Sequence, residues 1–119
     1  MSSRECFNQN HERIAAIWWR VSTDDQREVS PATQRSEALT LAHQDGFQVP
    51  QGFIIGTDWH SLSVWDSPPM NRLRELIRNR EIRAVYVYHP DRLPSKPAHR
   101  LLFRALCEEN GVQVRCCYG

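Results

Sequence analysis

One hydroxyl and two guanidinium groups in this sequence could together act on a phosphate ester. Arg20 and Ser22 directly follow an apolar run, and Asp91 and Arg92 follow another. Arginines can neutralise a phosphodiester under attack, and a hydroxyl can be the nucleophile. These residue types therefore indicate phosphoryl transfer. A purely structural interpretation fits the same residues about equally well: Ser22 would cap a turn, and Asp91 and Arg92 would form an ion pair.

Alternating strands and helices would gather these side chains at one place. Four apolar runs predict strands, at 14–19, 53–55, 82–88 and 112–116. The segments between them predict helices, at 30–45, from Ser67 onward and at 95–109. This order predicts a three-layer α/β/α domain with a mainly parallel sheet of four or five strands. Ligands of such sheets bind beyond the carboxyl ends of the strands, where Arg20, Asp58 and Asp91 are expected to lie.

Local signals support the three helices. Ser30 before Pro31 forms an N-cap with a first-turn proline, and Gly46 can end that helix in a left-handed conformation. Apolar residues at helical spacing predict a buried face on each of the other two helices. These residues are Met70, Leu73, Leu76 and Ile77 in the second helix, and Leu102, Ala105 and Leu106 in the third.

Composition limits the class of protein. A chain of 119 residues fits one domain, which we place at 13–119 after a polar leader at 1–12. The leader lacks the apolar core of a signal peptide, and the sequence has no run long enough to span a membrane, so we expect a cytoplasmic protein. The four cysteines form no CxxC pair, so we expect them to form neither a metal site nor a redox centre. The net charge of +1 is weak support for binding DNA unaided.

Three separated blocks resemble the serine recombinases, the family of resolvases, invertases and large serine integrases. The family signature Tyr-x-Arg-Val-Ser-Thr, with Gln four positions after Ser, is similar to residues 18–26, where only the leading aromatic residue differs. Residues 30–34 match the Ser-x-x-x-Gln at the start of the family's first helix, and residues 91–93 match its Asp-Arg-Leu. The resemblance extends over nearly the whole chain, because 61–70 and 110–112 also align with family segments.

The resemblance implies a mechanism for the polar residues. Ser22 would be the nucleophile and would form a covalent 5′-phosphoserine bond to DNA. Arg20 and Arg92 would stabilise the charge of the transition state, so that neither a metal ion nor another cofactor is needed. Asp91 would orient an arginine or the hydroxyl. Gln26 and Gln34 would support the same pocket by hydrogen bonding, and the partner would be DNA, bound by a homodimer or tetramer of the full-length form.

The sequence also departs from the family pattern. Leu62 stands where the family has Gly, and Ser67 and Ser95 stand where it has Arg. Lys96 follows the second of these positions and is a candidate for DNA binding, as are two arginines of the second helix, Arg72 and Arg74. A solvated helix face is the more ordinary use of those two arginines. The family also continues past the position of Gly119, so we expect a C-terminally truncated catalytic domain.

The sequence is also compatible with two other functions. The first is a catalytically impaired or inactive relative that keeps the fold and acts only as an interaction module, since losing one preorganised charge donor typically costs about two to three orders of magnitude in rate. The second is an unrelated phosphate-binding α/β protein. That class predicts a glycine-rich turn after the first strand, and residues 20–30 contain no Gly.

Overall fold

A computed structural model of the protein describes residues 13–21, 29–58 and 64–119. Within these ranges the strands are β1 Ala15–Arg20, β2 Ile54–Thr57, β3 Ala84–Val87 and β4 Gln113–Cys116. The α-helices are α1 Pro31–Gln44, α2 Pro68–Arg78 and α3 Pro97–Glu109. The predicted order of elements is therefore confirmed, with ends shifted by one to two residues at most positions. A short 3₁₀ turn at Gln51–Phe53 replaces the start of the predicted second strand.

The four strands form one parallel sheet in the order β2-β1-β3-β4. The chain thus runs from β1 to β2 on one side and then crosses over to β3 on the other side of β1. The strand order reverses between β1 and β3, which is the position where parallel α/β sheets bind their ligands. Arg20, at the carboxyl end of β1, lies at this position.

Alternate residues of the central strands face two separate hydrophobic clusters. Ala15 and Ile17 of β1 pack with Ala38 and Ala42 of α1 on one face. Trp18 and its neighbours on the opposite face pack against α2 and α3. Small alanine side chains on both surfaces let α1 approach the sheet closely. The result is the predicted three-layer α/β/α domain.

The helix ends are where the sequence signals place them. The hydroxyls of Ser30 and Ser67 accept hydrogen bonds from Thr33 N and Met70 N, and both serines precede a proline. Gly46 has a φ of 87°, which is the left-handed conformation expected after a helix. No helix within the described ranges is long and apolar enough to cross a bilayer.

The buried face of α3 differs from the predicted one. The buried residues are Phe103 and Cys107, one helical turn apart, whereas Leu106 is only half-buried. Leu102 is 54% exposed, and Ala105 is exposed as well. The sequence offers two apolar stripes on this helix, and tertiary packing against the sheet selects the one that carries the aromatic ring.

Gly56 makes room for the ring of Trp19 on the neighbouring strand. The two residues are register partners in the β1–β2 pair. A Cβ atom built on Gly56 would overlap the indole ring of Trp19. The absence of a side chain at position 56 therefore leaves the space that the indole occupies next to β2.

We expect Gly56→Ala to destabilise the protein by about 1–3 kcal/mol, the usual cost of overpacking. The same substitution in a Trp19→Ala background should cost much less, because the clashing ring is gone. Urea unfolding of the wild type, the two single variants and the double variant measures this coupling. Additive effects of the two substitutions would contradict the described contact.

Candidate active site

Arg20 and Arg92, which follow or end the neighbouring strands β1 and β3, each bind the backbone of the other. Arg20 Nε donates to Arg92 O at 3.3 Å, and Arg20 Nη2 donates to Asp91 O at 2.6 Å. In return, Arg92 Nη1 donates to Arg20 O at 3.1 Å. These reciprocal bonds tie the carboxyl end of β1 to the 3₁₀ turn Pro90–Arg92 that follows β3. The two guanidinium groups that the sequence assigns to a phosphate site are thus brought together.

A buried tryptophan also binds the Pro90–Arg92 turn. Trp18 is fully buried in β1, and its indole Nε1 donates to Arg92 O at 2.7 Å. A buried indole N–H requires such a partner. The sequence placed Trp18 in a strand and at the aromatic position of the family signature. The need of a buried indole N–H for an acceptor was the signal that this residue also binds a polar group.

Burial lowers the pKa of Arg20, with a nearby Arg100 acting in the same direction and Asp91 opposing both. A guanidinium nevertheless stays protonated in proteins. The group carries five N–H donors, and the two bonds of Arg20 to carbonyl oxygens use two of them. Arg20 can therefore hold the turn and offer positive charge to an anion at the same time.

Gln34 joins the two ends of the segment that contains Ser22. Its side chain lies fully buried in α1. Gln34 Oε1 accepts from Arg20 N at 3.3 Å, and Nε2 donates to Arg20 O at 3.0 Å and to Val29 O at 2.9 Å. Arg20 precedes the segment and Val29 follows it, so one amide group holds both ends.

Asp91 lies next to the guanidinium of Arg92. Its Oδ1 is 3.0 Å from Arg92 Nε, and its side chain is 58% exposed, compared with 10% for that of Arg92. The ion pair of the structural interpretation is thus present. Asp91 Oδ1 also lies 3.1 Å from His89 Nδ1. This exposed carboxylate can orient Arg92, as the resemblance implies, while the arginine itself is buried.

The two serines at expected arginine positions differ in their surroundings. Ser67 is fully buried, and its hydroxyl donates to Val64 O at 2.7 Å in addition to capping α2. Ser95 is exposed, as is Lys96, which precedes α3 as its N-cap residue without a side-chain cap. Position 67 is therefore part of the helix start, and only the segment at 95–96 offers a side chain to solvent.

The two arginines of α2 contact aromatic rings. Arg72 Nη2 donates to Gly52 O at 3.3 Å, and its guanidinium lies over Phe53, before the amino end of β2. The guanidinium of Arg74 lies 4.2 Å from the ring centre of Trp65 and also contacts Asn71. Neither of these contacts places the arginine beside Arg20 or Arg92. Their binding to DNA stays a prediction.

Two predicted site residues, Ser22 and Gln26, lie outside the described residues. The described part of the chain contains no group of three or more His, Cys, Asp or Glu side chains that could hold a metal ion. Burial raises the pKa of Cys107 to about 12, so this thiol is a packing group rather than a nucleophile.

Several solved structures resemble this fold. The catalytic domain of TP901-1 integrase is 26% identical, with a TM-score of 0.72 over 87% of this chain and 76% of that chain. The C-terminal catalytic domain of ISC1926 TnpA, an IS607-like serine recombinase, is 21% identical, with a TM-score of 0.73 over 87% of this chain and 68% of that one. The first ORF of transposon ISC1904 from Sulfolobus solfataricus P2 is 18% identical, with a TM-score of 0.61 over 87% and 66%.

The sequence itself identifies the family. No curated protein sequence matches the chain significantly. The family model described as Resolvase, N terminal domain, matches residues 15–119, which begin at the first residue of β1 and include all of the elements above. The chain therefore belongs to the family of the resolvase N-terminal domain.

Proposed function

We propose that this chain is the catalytic domain of a site-specific DNA recombinase that cuts and rejoins DNA through Ser22. The observation that carries the proposal is the pair of arginines at the reversal of strand order, each bound to the other's backbone. Ser22 follows Arg20 by two residues in the sequence, which supports its assignment as the nucleophile of this site. The family match and the likeness to an integrase catalytic domain support the same reaction.

The proposed reaction is a pair of transesterifications. The Ser22 oxygen attacks the phosphorus and forms a P–O bond, while the bond to the 3′ oxygen breaks and that oxygen leaves as a hydroxyl. The 3′-hydroxyl of a second strand later attacks the phosphoserine and restores Ser22. The number of phosphoester bonds does not change, so no ATP is required. Arg20 and Arg92 spread the charge that accumulates on the phosphate oxygens.

Gln34 would act by positioning rather than by touching DNA. Its amide binds residues on both sides of the 22–28 segment, and we propose that these hydrogen bonds help to position Ser22 and Gln26 for the reaction. Preorganisation of this kind matters because a small misplacement of a reacting group is costly to the rate.

Two strands must be cut in one duplex and four in a pair of recombining duplexes, and each Ser22 attacks one strand. We therefore propose that the chains assemble on DNA as a homodimer on one duplex or as a tetramer on two.

A second candidate function is an impaired relative that keeps the fold without cutting DNA. The observation that favours it is Ser67, which is buried and used to cap α2 where the family has an arginine. Lys96 is a possible replacement for the charge absent at position 95, but it offers a point charge rather than a rigid fork of donors.

A trapping experiment separates the two functions. The protein is incubated with a supercoiled plasmid library that carries random inserts, and DNA that stays bound to protein under denaturing conditions is collected. We expect the wild type to give a peptide in which Ser22 carries a 5′-phosphate nucleotide, identified by mass spectrometry. Ser22→Ala should give none, since it lacks the proposed nucleophile.

Ser36→Ala is the matched control, because Ser36 is exposed on α1 and this change leaves the site intact. Adduct of equal yield from Ser22→Ala would refute the assignment of the nucleophile. No adduct from the wild type would favour the impaired relative.

Gln34→Met should destabilise the protein by about 2 kcal/mol, because Arg20 N and Val29 O, both partly buried, lose the hydrogen bonds that the amide makes to them. Gln44→Met, in the same helix but exposed, should change stability by less than about 0.5 kcal/mol. Urea unfolding followed by circular dichroism measures both. Equal unfolding midpoints for the two variants would show that the amide of Gln34 does not hold the segment.

Lys96→Gln should weaken DNA binding uniformly across sequences and reduce the slope of log K against log salt by about 1, as expected when one phosphate contact is lost. Fluorescence anisotropy with a random-sequence duplex at several salt concentrations measures the slope. Arg72→Gln and Arg74→Gln, measured in parallel, test the two remaining candidates. An unchanged slope for Lys96→Gln would remove this residue from the proposed interface.

A further inference from the structure

We propose that His89 is a positioning residue for the cleavage of DNA by Ser22. It would act by holding the turn that carries Asp91 and Arg92. This inference rests on the proposed function. His89 lies just before that turn, and the resemblance to the family assigns it no role. Its contacts with the turn are nevertheless specific.

His89 caps the 3₁₀ turn Pro90–Arg92. Its backbone is extended, and its Nδ1 accepts a hydrogen bond from Asp91 N at 3.1 Å. Pro90 has no N–H, so the Asp91 N–H is the first donor of the turn that needs a partner. The backbone of the turn closes on the same residue, because Arg92 N donates to His89 O at 3.0 Å. Both its side chain and its carbonyl thus stabilise the turn.

The capped turn supplies most of the contacts of the site. The carbonyls of Asp91 and Arg92 receive the two hydrogen bonds from the Arg20 guanidinium. The Asp91 carboxylate lies on Arg92 Nε. A shift of this turn would therefore displace both proposed phosphate-binding arginines at once, although His89 itself touches neither of them in the contacts described.

The Nε2 edge of the imidazole lies near the residues that follow β4. The chain after β4 continues along β3, since Tyr118 N donates to Tyr88 O at 3.0 Å, and the rings of these tyrosines lie 5.0 Å apart. A Cβ atom added to Gly119 would lie 3.1 Å from His89 Nε2 and 2.8 Å from Pro90 Cδ. The Nε2 edge of the ring thus lies near Gly119, while 41% of the His89 side chain stays exposed.

The two contacts of Nδ1 determine which form of the ring can act as the cap. Nδ1 cannot accept the Asp91 N–H while it donates a proton to Asp91 Oδ1, which lies 3.1 Å away. The capping role assigns the proton of the neutral ring to Nε2. An asparagine at position 89 could replace this acceptor with its Oδ1, whereas an alanine could not.

The test compares His89→Ala, His89→Asn and the control His43→Ala, whose imidazole is exposed in the last turn of α1. Single-turnover cleavage is measured on a duplex recovered from the trapped plasmid library. We expect His89→Ala to react about fivefold more slowly, because the loss of one cap lowers the population of the correctly folded turn by about that factor. His89→Asn and His43→Ala should stay within about twofold of the wild type. Cleavage by His89→Ala at the wild-type rate, or no recovery in His89→Asn, would overturn the proposal.

A second readout does not depend on cleavage. Hydrogen exchange of the Arg20 Nε–H, which donates to Arg92 O, is followed by ¹⁵N NMR and reports whether the turn still holds that arginine. We expect faster exchange in His89→Ala and wild-type exchange in His89→Asn. Equal exchange in all variants would refute the positioning role even if the wild type cuts no DNA. Failure of the wild type to form the Ser22 adduct would instead refute the proposed recombinase activity.

Discussion

The reciprocal hydrogen bonds between Arg20 and Arg92 are the interaction on which the rest of the site depends. Each guanidinium binds a backbone carbonyl at the other arginine's position, and together they join the end of β1 to the turn after β3. The carbonyl groups at a strand end need partners once they leave the sheet. Here a charged donor satisfies them, so the groups proposed to bind DNA also complete the fold at this edge.

This arrangement requires the surrounding layers to be close and rigid. Alanines on α1 and β1 bring the helix near the sheet, which lets the fully buried Gln34 reach the backbone of Arg20. On the opposite face, Trp18 fills the core while its indole holds Arg92 O. Side chains from both faces of β1 thus bind the backbone of the two arginines: Gln34 binds that of Arg20, and Trp18 binds that of Arg92. A substitution in either layer should therefore affect stability and the site together.

The sequence predicted the elements well because their signals are local. Apolar runs marked the strands, and Ser-Pro pairs marked the starts of α1 and α2. The buried face of α3 was predicted wrongly, since Leu102 and Phe103 belong to two apolar stripes and only tertiary packing chooses between them. A local pattern cannot make that choice.

The site shows the same division between local and tertiary signals. The motifs identified Arg20 and Arg92, and the structure brings them together. Their bonds to carbonyl oxygens, and the parts that Trp18 and His89 play, could not be predicted from spacing. Every residue type has the same backbone carbonyl, so the sequence does not show which carbonyl will accept a given hydrogen bond. That choice depends on which parts of the chain become neighbours in the folded protein. The placement of Ser22 and Gln26 stays a prediction, because both lie outside the described residues.

The most direct test of this account is a crystal structure of the Ser22→Ala variant bound to a duplex recovered from the trapped plasmid library. If Arg20 and Arg92 bind the same phosphate, one backbone phosphate lies within about 2.7–3.2 Å of nitrogen atoms of both residues, and the carbon that replaces the hydroxyl faces the phosphorus. A complex in which the DNA lies elsewhere, with both guanidinium groups bound only to protein carbonyls, would contradict the account.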